Sequence, residues 1–143
     1  MSSVLAHTAR FAVNAAQHSH GANAYLQAQV QSRTPIELVV LLYDGAIQSL
    51  GQARDAMQAG DLTTKRDALS RGLAIVSELQ NMLNMEAGGE VAERLDGLYT
   101  YIHTRCLDAN ARRDVSGLDE SIRLLLPLRE AWAAVATRPT SAA

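Results

Sequence analysis

The first regular pattern in the chain is a run of apolar residues at every seventh position, which begins after Thr34-Pro35. Threonine is a favourable N-cap, and proline suits the first helical position. The apolar positions are Ile36, Tyr43, Leu50 and Met57, with Val39, Ala46 and Ala53 three residues after the first three. Two such lines form the buried seam of a bundle helix. The pattern predicts a first helix over residues 35–59, which Gly60 ends.

Three further segments have the same periodicity. A second helix is predicted over residues 62–86, with Asp61 as its cap and Gly88-Gly89 as the break after it. A third covers 90–113, and a fourth, capped by Ser116, covers 117–136. Four helices of this length with short connections predict an all-α fold, an antiparallel up-down four-helix bundle over residues 34–137.

The two ends of the chain differ from the bundle in composition. Residues 1–33 are rich in Ala, Gln, Ser, Asn and His and contain only scattered large apolar side chains. Such a segment has little to bury, so it is predicted to be a mobile, partly disordered N-terminal arm. Residues 138–143 are predicted to be a disordered tail.

Helices 1 and 4 contain more apolar residues than one buried face requires. The residues outside the main seams are Leu38, Leu41, Leu42, Leu124, Leu126 and Leu128. Each buried CH2 group is worth about 0.8 kcal/mol, so some surface is expected to cover these side chains. The cover is the N-terminal arm, a partner helix, or a thicker core or homodimer interface, and periodicity alone leaves these alternatives open.

Pro127 lies in the middle of the predicted fourth helix. Proline has no backbone N–H, and its ring crowds the carbonyl group four residues earlier, so a kink is expected here. The alternative is a bend that the helix tolerates.

Composition excludes several classes of function. The 13 basic and 15 acidic residues give a net charge of −2, which offers no electrostatic footprint for nucleic acid or an anionic membrane. The longest apolar run, residues 38–43, is too short to span a bilayer, and residues 1–10 do not have the pattern of a secretory signal. The single cysteine, Cys106, cannot form an intramolecular disulfide. We therefore expect a cytoplasmic protein without membrane insertion.

Reactive side chains do not form a recognisable motif. His18 and His20 have no acidic or cysteine ligand nearby in the sequence, and Cys106 has no adjacent base. We expect no catalytic residue, no metal site, no cofactor and no enzymatic activity. His103 raises the alternative of a histidine phosphotransfer-like signalling bundle, although its neighbours Thr104 and Arg105 do not resemble the usual lysine-glycine context.

Several short segments together resemble the flagellar secretion chaperones known as the FliS family. The resemblance covers roughly residues 22–135 and is carried by Thr34-Pro35-Ile36-Glu37-Leu38, Leu42-Tyr43-Asp44-Gly45-Ala46, Gly60-Asp61, Gly88-Gly89-Glu90-Val91-Ala92, Leu98-Tyr99-Thr100-Tyr101, Ala109-Asn110 with Asp114, and Glu130-Ala131-Trp132. Tyr25 is similar to the tyrosine of the family's N-terminal arm. The chain departs from the family pattern in a longer arm, in Ala22 where relatives have a larger aliphatic residue, and in Pro127.

The resemblance implies a function and a binding surface. Family members are antiparallel four-helix bundles that bind the C-terminal segment of flagellin in the cytoplasm, block its premature polymerisation and support its delivery to the flagellar type III export apparatus. The resemblance also leaves room for export gate components and an anti-sigma factor as further partners. The residues expected to form or support the partner groove are Tyr25, Ile36, Leu38, Leu41, Leu42, Tyr43, Leu124, Leu128 and Trp132.

Two alternatives accompany this interpretation. Large aromatic residues in a helical seam are usually core, so Tyr43, Tyr99 and Trp132 are also expected to pack inside the bundle. The second alternative concerns function: the surplus apolar faces would equally suit a structural helical module that dimerises.

Overall fold

A computed structural model describes residues 34–138, which contain four α-helices and, within that range, no strand. The helices are α1 (Pro35–Ala59), α2 (Leu62–Asn81), α3 (Met85–Arg112) and α4 (Val115–Ala136). The predicted N-terminal arm, with Tyr25, and all but the first residue of the predicted tail lie outside the described residues. The all-α prediction is confirmed.

Side-chain contacts give the direction of α1 and α4. Near the start of α1, Asp44 meets Arg129 late in α4, with the guanidinium Nε 2.8 Å from the carboxylate. Near the end of α1, Arg54 meets Asp119 early in α4 at 3.1 Å. Positions that advance along α1 therefore meet positions that recede along α4, so the two helices are antiparallel.

The other neighbouring helices are also antiparallel. From α2 to α3, Ser77 contacts His103 while Gln80 contacts Thr100. Between α1 and α2, Gly45 lies beside Ile75 while Leu50 lies beside Gly72. Between α3 and α4, Tyr101 contacts Glu120 while Ala109 lies beside Gly117. The arrangement is therefore an up-down bundle. Of the four helices, α1 packs most extensively, against α2 and α4, while α3 makes fewer contacts with its neighbours.

The core follows the seven-residue lines seen in the sequence. Its fully enclosed side chains come from all four helices, and the largest are Tyr43, Leu50, Val76, Met82, Tyr99, Ile102, Leu118 and Leu125. Partly buried apolar residues surround them. These residues repeat at helical spacing because only one stripe of each helix can face the bundle axis.

The predicted ends of α1 and the start of α2 are confirmed. The hydroxyl oxygen of Thr34 accepts a hydrogen bond from the backbone N–H of Glu37, and Pro35 opens the helix. Gly60 ends α1 in the left-handed conformation, with φ 77°. Asp61 then caps α2 by accepting from the backbone N–H of Thr64. Thr34 and Asp61 pair with N–H groups that a helix start leaves without partners, and Pro35 has no N–H to pair. The N–H of Gly60 pairs with carbonyl groups at the end of α1.

The boundary between α2 and α3 was predicted wrongly. The second helix ends at Asn81, not at 86, and the third begins at Met85, not at 90. Asn84 caps α3 by accepting from the backbone N–H of Ala87 at 2.9 Å. The predicted glycine break is present, but it lies inside α3, where Gly89 has φ 54° and ψ −131°. Only glycine adopts that conformation easily.

Two features of α4 also differ from expectation. Its N-cap is Asp114, which accepts from the backbone N–H of Ser116, so the predicted cap at Ser116 is wrong. Pro127 is exposed and lies inside a helix that continues to Ala136, without non-helical backbone angles such as those at Gly89. Pro127 therefore does not end or break α4, which agrees with the tolerated alternative.

Candidate functional site

An apolar cleft of about 300 Å³ lies between the first half of α3 and the second half of α4. Val39 and Leu79 at its base come from α1 and α2. The complete lining is Val39, Leu79, Leu83, Ala87, Gly88, Val91, Ala92, Leu95, Tyr99, Leu128, Ala131, Trp132 and Val135. No charged residue is among them, so the cleft favours apolar side chains of an occupant.

The α3 wall is a helical stripe. After the break at Gly89, Val91, Leu95 and Tyr99 are four residues apart, so they lie above one another on one face. Val91 is 52% exposed although it lines the cleft, while Tyr99 at the other end is 2% exposed. The wall therefore runs from an open rim to a closed base. Over the eight residues from Val91 to Tyr99, at about 1.5 Å each, it is roughly 12 Å long, or about two helical turns.

The α4 wall contains the second stripe. Leu128, Trp132 and Val135 have the same helical spacing and are all half-buried. Leu128 and Trp132 also pack against the core. Two apolar stripes that face each other across an open gap are the geometry that receives an amphipathic helix.

A hydrogen-bonded aromatic group supports the base of the cleft. The hydroxyl groups of Tyr43 and Tyr99 share a short hydrogen bond, and Trp132 packs against the core of which both tyrosines are part. Burial raises the pKa of both phenols above their usual value, so both are neutral near pH 7. The shared bond fixes Tyr99 in place and satisfies two hydroxyl groups that would otherwise be buried without partners.

Ionic contacts hold the bundle together away from the cleft. Two inter-helix ion pairs join α1 to α4, as described above. At the far end of α3, Arg105 contacts Glu120 of α4 at 3.1 Å. Among the described residues, no ion pair joins the first half of α3 to α4. The walls of the cleft are therefore not tied to each other by charge, and an occupant would not have to break an ion pair to enter.

The structure places the predicted site residues in different environments. Leu128 and Trp132 line the cleft. Leu38 is 6% exposed and Tyr43 is fully buried, and neither lines the cleft. Tyr43 supports the cleft from beneath, because it is hydrogen-bonded to Tyr99 in the lining. Ile36, Leu41, Leu42 and Leu124 are half-buried and are outside the cleft lining, and Tyr25 lies outside the described residues.

Sequence reasoning missed most of the α2 and α3 lining. These residues are Leu79, Leu83, Val91, Leu95 and Tyr99. A signal was present: Val91 and Leu98 form a second apolar line beside that of Leu95 and Ile102. That line shows that α3 has a wider apolar face, but it does not show where a gap opens beside it.

Groups capable of chemistry are accounted for by packing. Cys106 is buried, its thiol donates to the Ser121 hydroxyl at 3.3 Å, and burial raises the thiol pKa. His103 Nε2 is 3.0 Å from Ser77 Oγ, and burial lowers the imidazole pKa. No observation here favours phosphate transfer through His103. Across residues 34–138, no three His, Cys, Asp or Glu side chains are grouped to hold a metal ion. The arrangement is suited to binding.

The four described helices differ from a membrane span, which must be long and almost entirely apolar. None of the four combines the length and apolar character needed to cross a bilayer.

Comparison with known proteins gives consistent matches. The family model of the flagellar protein FliS matches residues 18–139. The flagellar secretion chaperone FliS of Salmonella typhimurium is 38% identical over 117 residues, which are 78% of this chain and 87% of that protein. The FliSB chaperone of Pseudomonas aeruginosa is 37% identical over 107 residues, 75% of this chain and 85% of its own. The Campylobacter jejuni FliS is 34% identical over 126 residues, 88% of this chain and 98% of that protein.

Proposed function

Because the chain belongs to the FliS family of flagellar secretion chaperones, we propose that it binds the C-terminal segment of flagellin, blocks its premature polymerisation and supports its delivery to the flagellar type III export apparatus. The observation that carries this proposal is the uncharged cleft between α3 and α4. An export chaperone must cover apolar surface on its client, and this cleft offers a complementary apolar surface.

The dimensions of the cleft suit a short amphipathic helix. Its walls extend over about two helical turns, so an occupant would insert two or three large apolar side chains at helical spacing. Each fully buried side chain of that kind contributes roughly 1.5–3 kcal/mol. A segment that is disordered when free loses about 2–5 kcal/mol of this on ordering. The balance favours moderate affinity, which suits a chaperone that must later release its client.

The α1 residues have a secondary place in this proposal. Ile36 and Leu41 are half-buried on the first half of α1. A client longer than two turns would extend beyond the cleft onto such side chains. The predicted roles of these two residues, and of Leu42 and Leu124, therefore stay predictions about the continuation of the binding surface.

The proposal is tested by titrating the full chain with a flagellin C-terminal peptide in a calorimeter. Val91→Glu places a charge at the open rim of the cleft, where Val91 is 52% exposed. Loss of one apolar contact and partial burial of a charge cost about 2 kcal/mol or more, so affinity should fall roughly 30-fold or more. The helical circular dichroism signal should stay unchanged, because the free side chain faces solvent.

Leu126→Glu is the matched control. Leu126 is 42% exposed on α4 and is not part of the cleft lining. It should retain the wild-type affinity. If Leu126→Glu weakens binding as much as Val91→Glu does, the cleft is not the binding site. If the wild-type chain gives no heat at micromolar concentrations and does not delay flagellin polymerisation, the proposed function is wrong.

A further inference from the structure

A second groove lies between α2 and α3, at the other end of the bundle. Its apolar floor is formed by Leu62, Leu69 and Leu73 of α2 and by Leu107 of α3. Leu62 and Leu107 are each 56% exposed, the highest values among the large apolar residues of the described range. Apolar side chains this exposed and this close together are typical of an interaction surface.

The rim of this groove is basic. Lys65, Arg66 and Arg113 line it, and no acidic residue does. Arg66 contacts Asp67 at 3.5 Å, whereas Lys65 and Arg113 form no ion pair with any residue in 34–138. The uncharged α3/α4 cleft and this groove therefore select different ligands: the first selects apolar surface alone, and the second selects apolar surface flanked by negative charge.

The backbone of Arg113 supports a role for its side chain. This residue caps α3 in the left-handed conformation, with φ 54° and ψ 45°, and it is the one non-glycine residue with positive φ in the described part of the chain. Glycine would adopt this conformation at a lower cost in free energy. Arginine at this position makes the fold less stable than glycine would, but it places a cation at the edge of the groove. Strained residues of this kind concentrate at functional positions.

A buried acceptor also lies in the groove wall. Asn110 lines the groove, and its Oδ1 atom is buried without a hydrogen-bond partner among the described residues. Buried acceptors without partners are uncommon, and each one usually has a specific explanation. A donor on an occupant, reached by rotation of the amide, would satisfy this atom.

Charge also argues against the chain's own ends as the occupant. Residues 1–33 contain two arginines and no aspartate or glutamate, and residues 139–143 contain no charged side chain. Neither segment complements a basic rim. We infer that the α2/α3 groove binds an amphipathic helix of a second protein, with apolar residues on the leucine floor and carboxylates against Lys65, Arg66 and Arg113.

The position of the groove allows both sites to be filled together. Along α3, Leu95 in the cleft and Leu107 in the groove are 12 residues apart, which is about 18 Å of helix. The chain would then act as an adaptor that holds its client at one end and an acidic partner at the other. This adaptor role rests on the proposed function, whereas the acidic helix site does not.

The test uses two synthetic 18-residue amphipathic peptides with the same leucine face. One carries glutamate on both flanks and the other carries lysine. Each is titrated into the full-length chain, and the leucine methyl groups are observed by NMR. We expect the glutamate peptide to shift the Leu62 and Leu107 methyl signals, to bind at least tenfold more tightly than the lysine peptide, and to weaken as salt is added.

Variants separate binding from folding. Arg113→Gly should raise the thermal midpoint, because it relieves the left-handed strain, and should weaken the glutamate peptide at least threefold. Lys65→Glu should weaken it at least fivefold. Arg94→Glu is the control: Arg94 is a 78% exposed cation of α3 that contacts Glu90 and is outside the groove. It should leave the affinity within twofold of wild type.

Several outcomes would overturn the inference. These are equal affinity for the two peptides, shifts at Leu95 and Leu128 in place of Leu62 and Leu107, or self-association of the chain that Leu107→Ser abolishes. Competition by the flagellin peptide would refute separate sites. Flagellin binding is measured on the same samples. If the chain binds the glutamate peptide but not flagellin, the adaptor role and the proposed function are refuted and the acidic helix site is not.

Discussion

The tightest contact between α3 and α4 gives the most specific prediction about stability. Gly117, in the first turn of α4, is buried against α3. A Cβ atom added here would be 2.7 Å from the Ala109 Cβ and 3.0 Å from the backbone oxygen of Arg105. Carbon atoms in favourable contact are about 3.5 Å or more apart. Gly117→Ala therefore requires the first turn of α4 to move away from α3 by about 0.8 Å.

The magnitude follows from two opposing effects. Overpacking of a tight interior site costs about 1–3 kcal/mol. Replacement of glycine by alanine in a helix returns up to about 1 kcal/mol. We expect Gly117→Ala to lower the free energy of unfolding by about 1–2 kcal/mol, which corresponds to a fall in the thermal midpoint of roughly 4 °C per kcal/mol. The Arg105–Glu120 ion pair beside it should loosen as the helices separate.

Gly97→Ala provides the matched control. It makes the same chemical change in α3, but nothing lies within 4 Å of the added Cβ. It should raise the free energy of unfolding by up to about 1 kcal/mol. Urea titration followed by circular dichroism measures both variants. If Gly117→Ala is as stable as the wild type while Gly97→Ala behaves as expected, the proposed close packing of α3 on α4 is refuted.

Three further predictions concern buried polar groups. Tyr43→Phe leaves the Tyr99 hydroxyl without its partner and should lower the free energy of unfolding, measured by urea titration, by about 1–3 kcal/mol. Adding Tyr99→Phe to that variant should lower it little further. Additive effects of the two single changes would contradict the shared hydrogen bond. Burial raises the pKa of both phenols, so the folded chain keeps protons that the unfolded chain loses above about pH 10, and stability should fall as pH rises through that range. The double phenylalanine variant should lose less stability over the same interval, and an equal loss would exclude these tyrosines as the cause. The Cys106 thiol is buried with a raised pKa, so Ellman's reagent should react with it only on unfolding; stoichiometric reaction within minutes in native buffer would refute its burial.

Local capping and periodicity rules located both ends of α1 correctly but placed the end of α2 wrongly. The ends of α1 follow from Thr34-Pro35 and Gly60, whose backbone preferences act without help from the rest of the fold. The end of α2 does not, because the apolar line continues through Met82 and Leu83 into the connection. Met82 is 1% exposed although it lies beyond the helix. Periodicity reports which positions are buried, and here the C-cap residue Met82 is buried as deeply as residues inside the helix.

The candidate site was predictable only in part. The surplus of apolar residues on α4 drew attention to Leu128, and the family resemblance drew attention to Trp132; both line the cleft. The corresponding surplus on α1 did not lead to the cleft, since Leu38 and Tyr43 are buried within the bundle. A cleft depends on the distance between two helices, and that distance is set by packing across the whole bundle. The sequence of either helix alone contains no measure of it.

The position of Trp132 makes the intrinsic fluorescence of the chain a probe of whether the cleft is occupied. The chain has one tryptophan, and it stands half-buried in the cleft wall. The emission of an indole shifts with the polarity around it, so a peptide without tryptophan that fills the cleft would displace water from the ring and move the spectrum to shorter wavelengths. Arrival and departure of the client could therefore be timed in a stopped-flow fluorimeter on the unlabelled, unmutated chain.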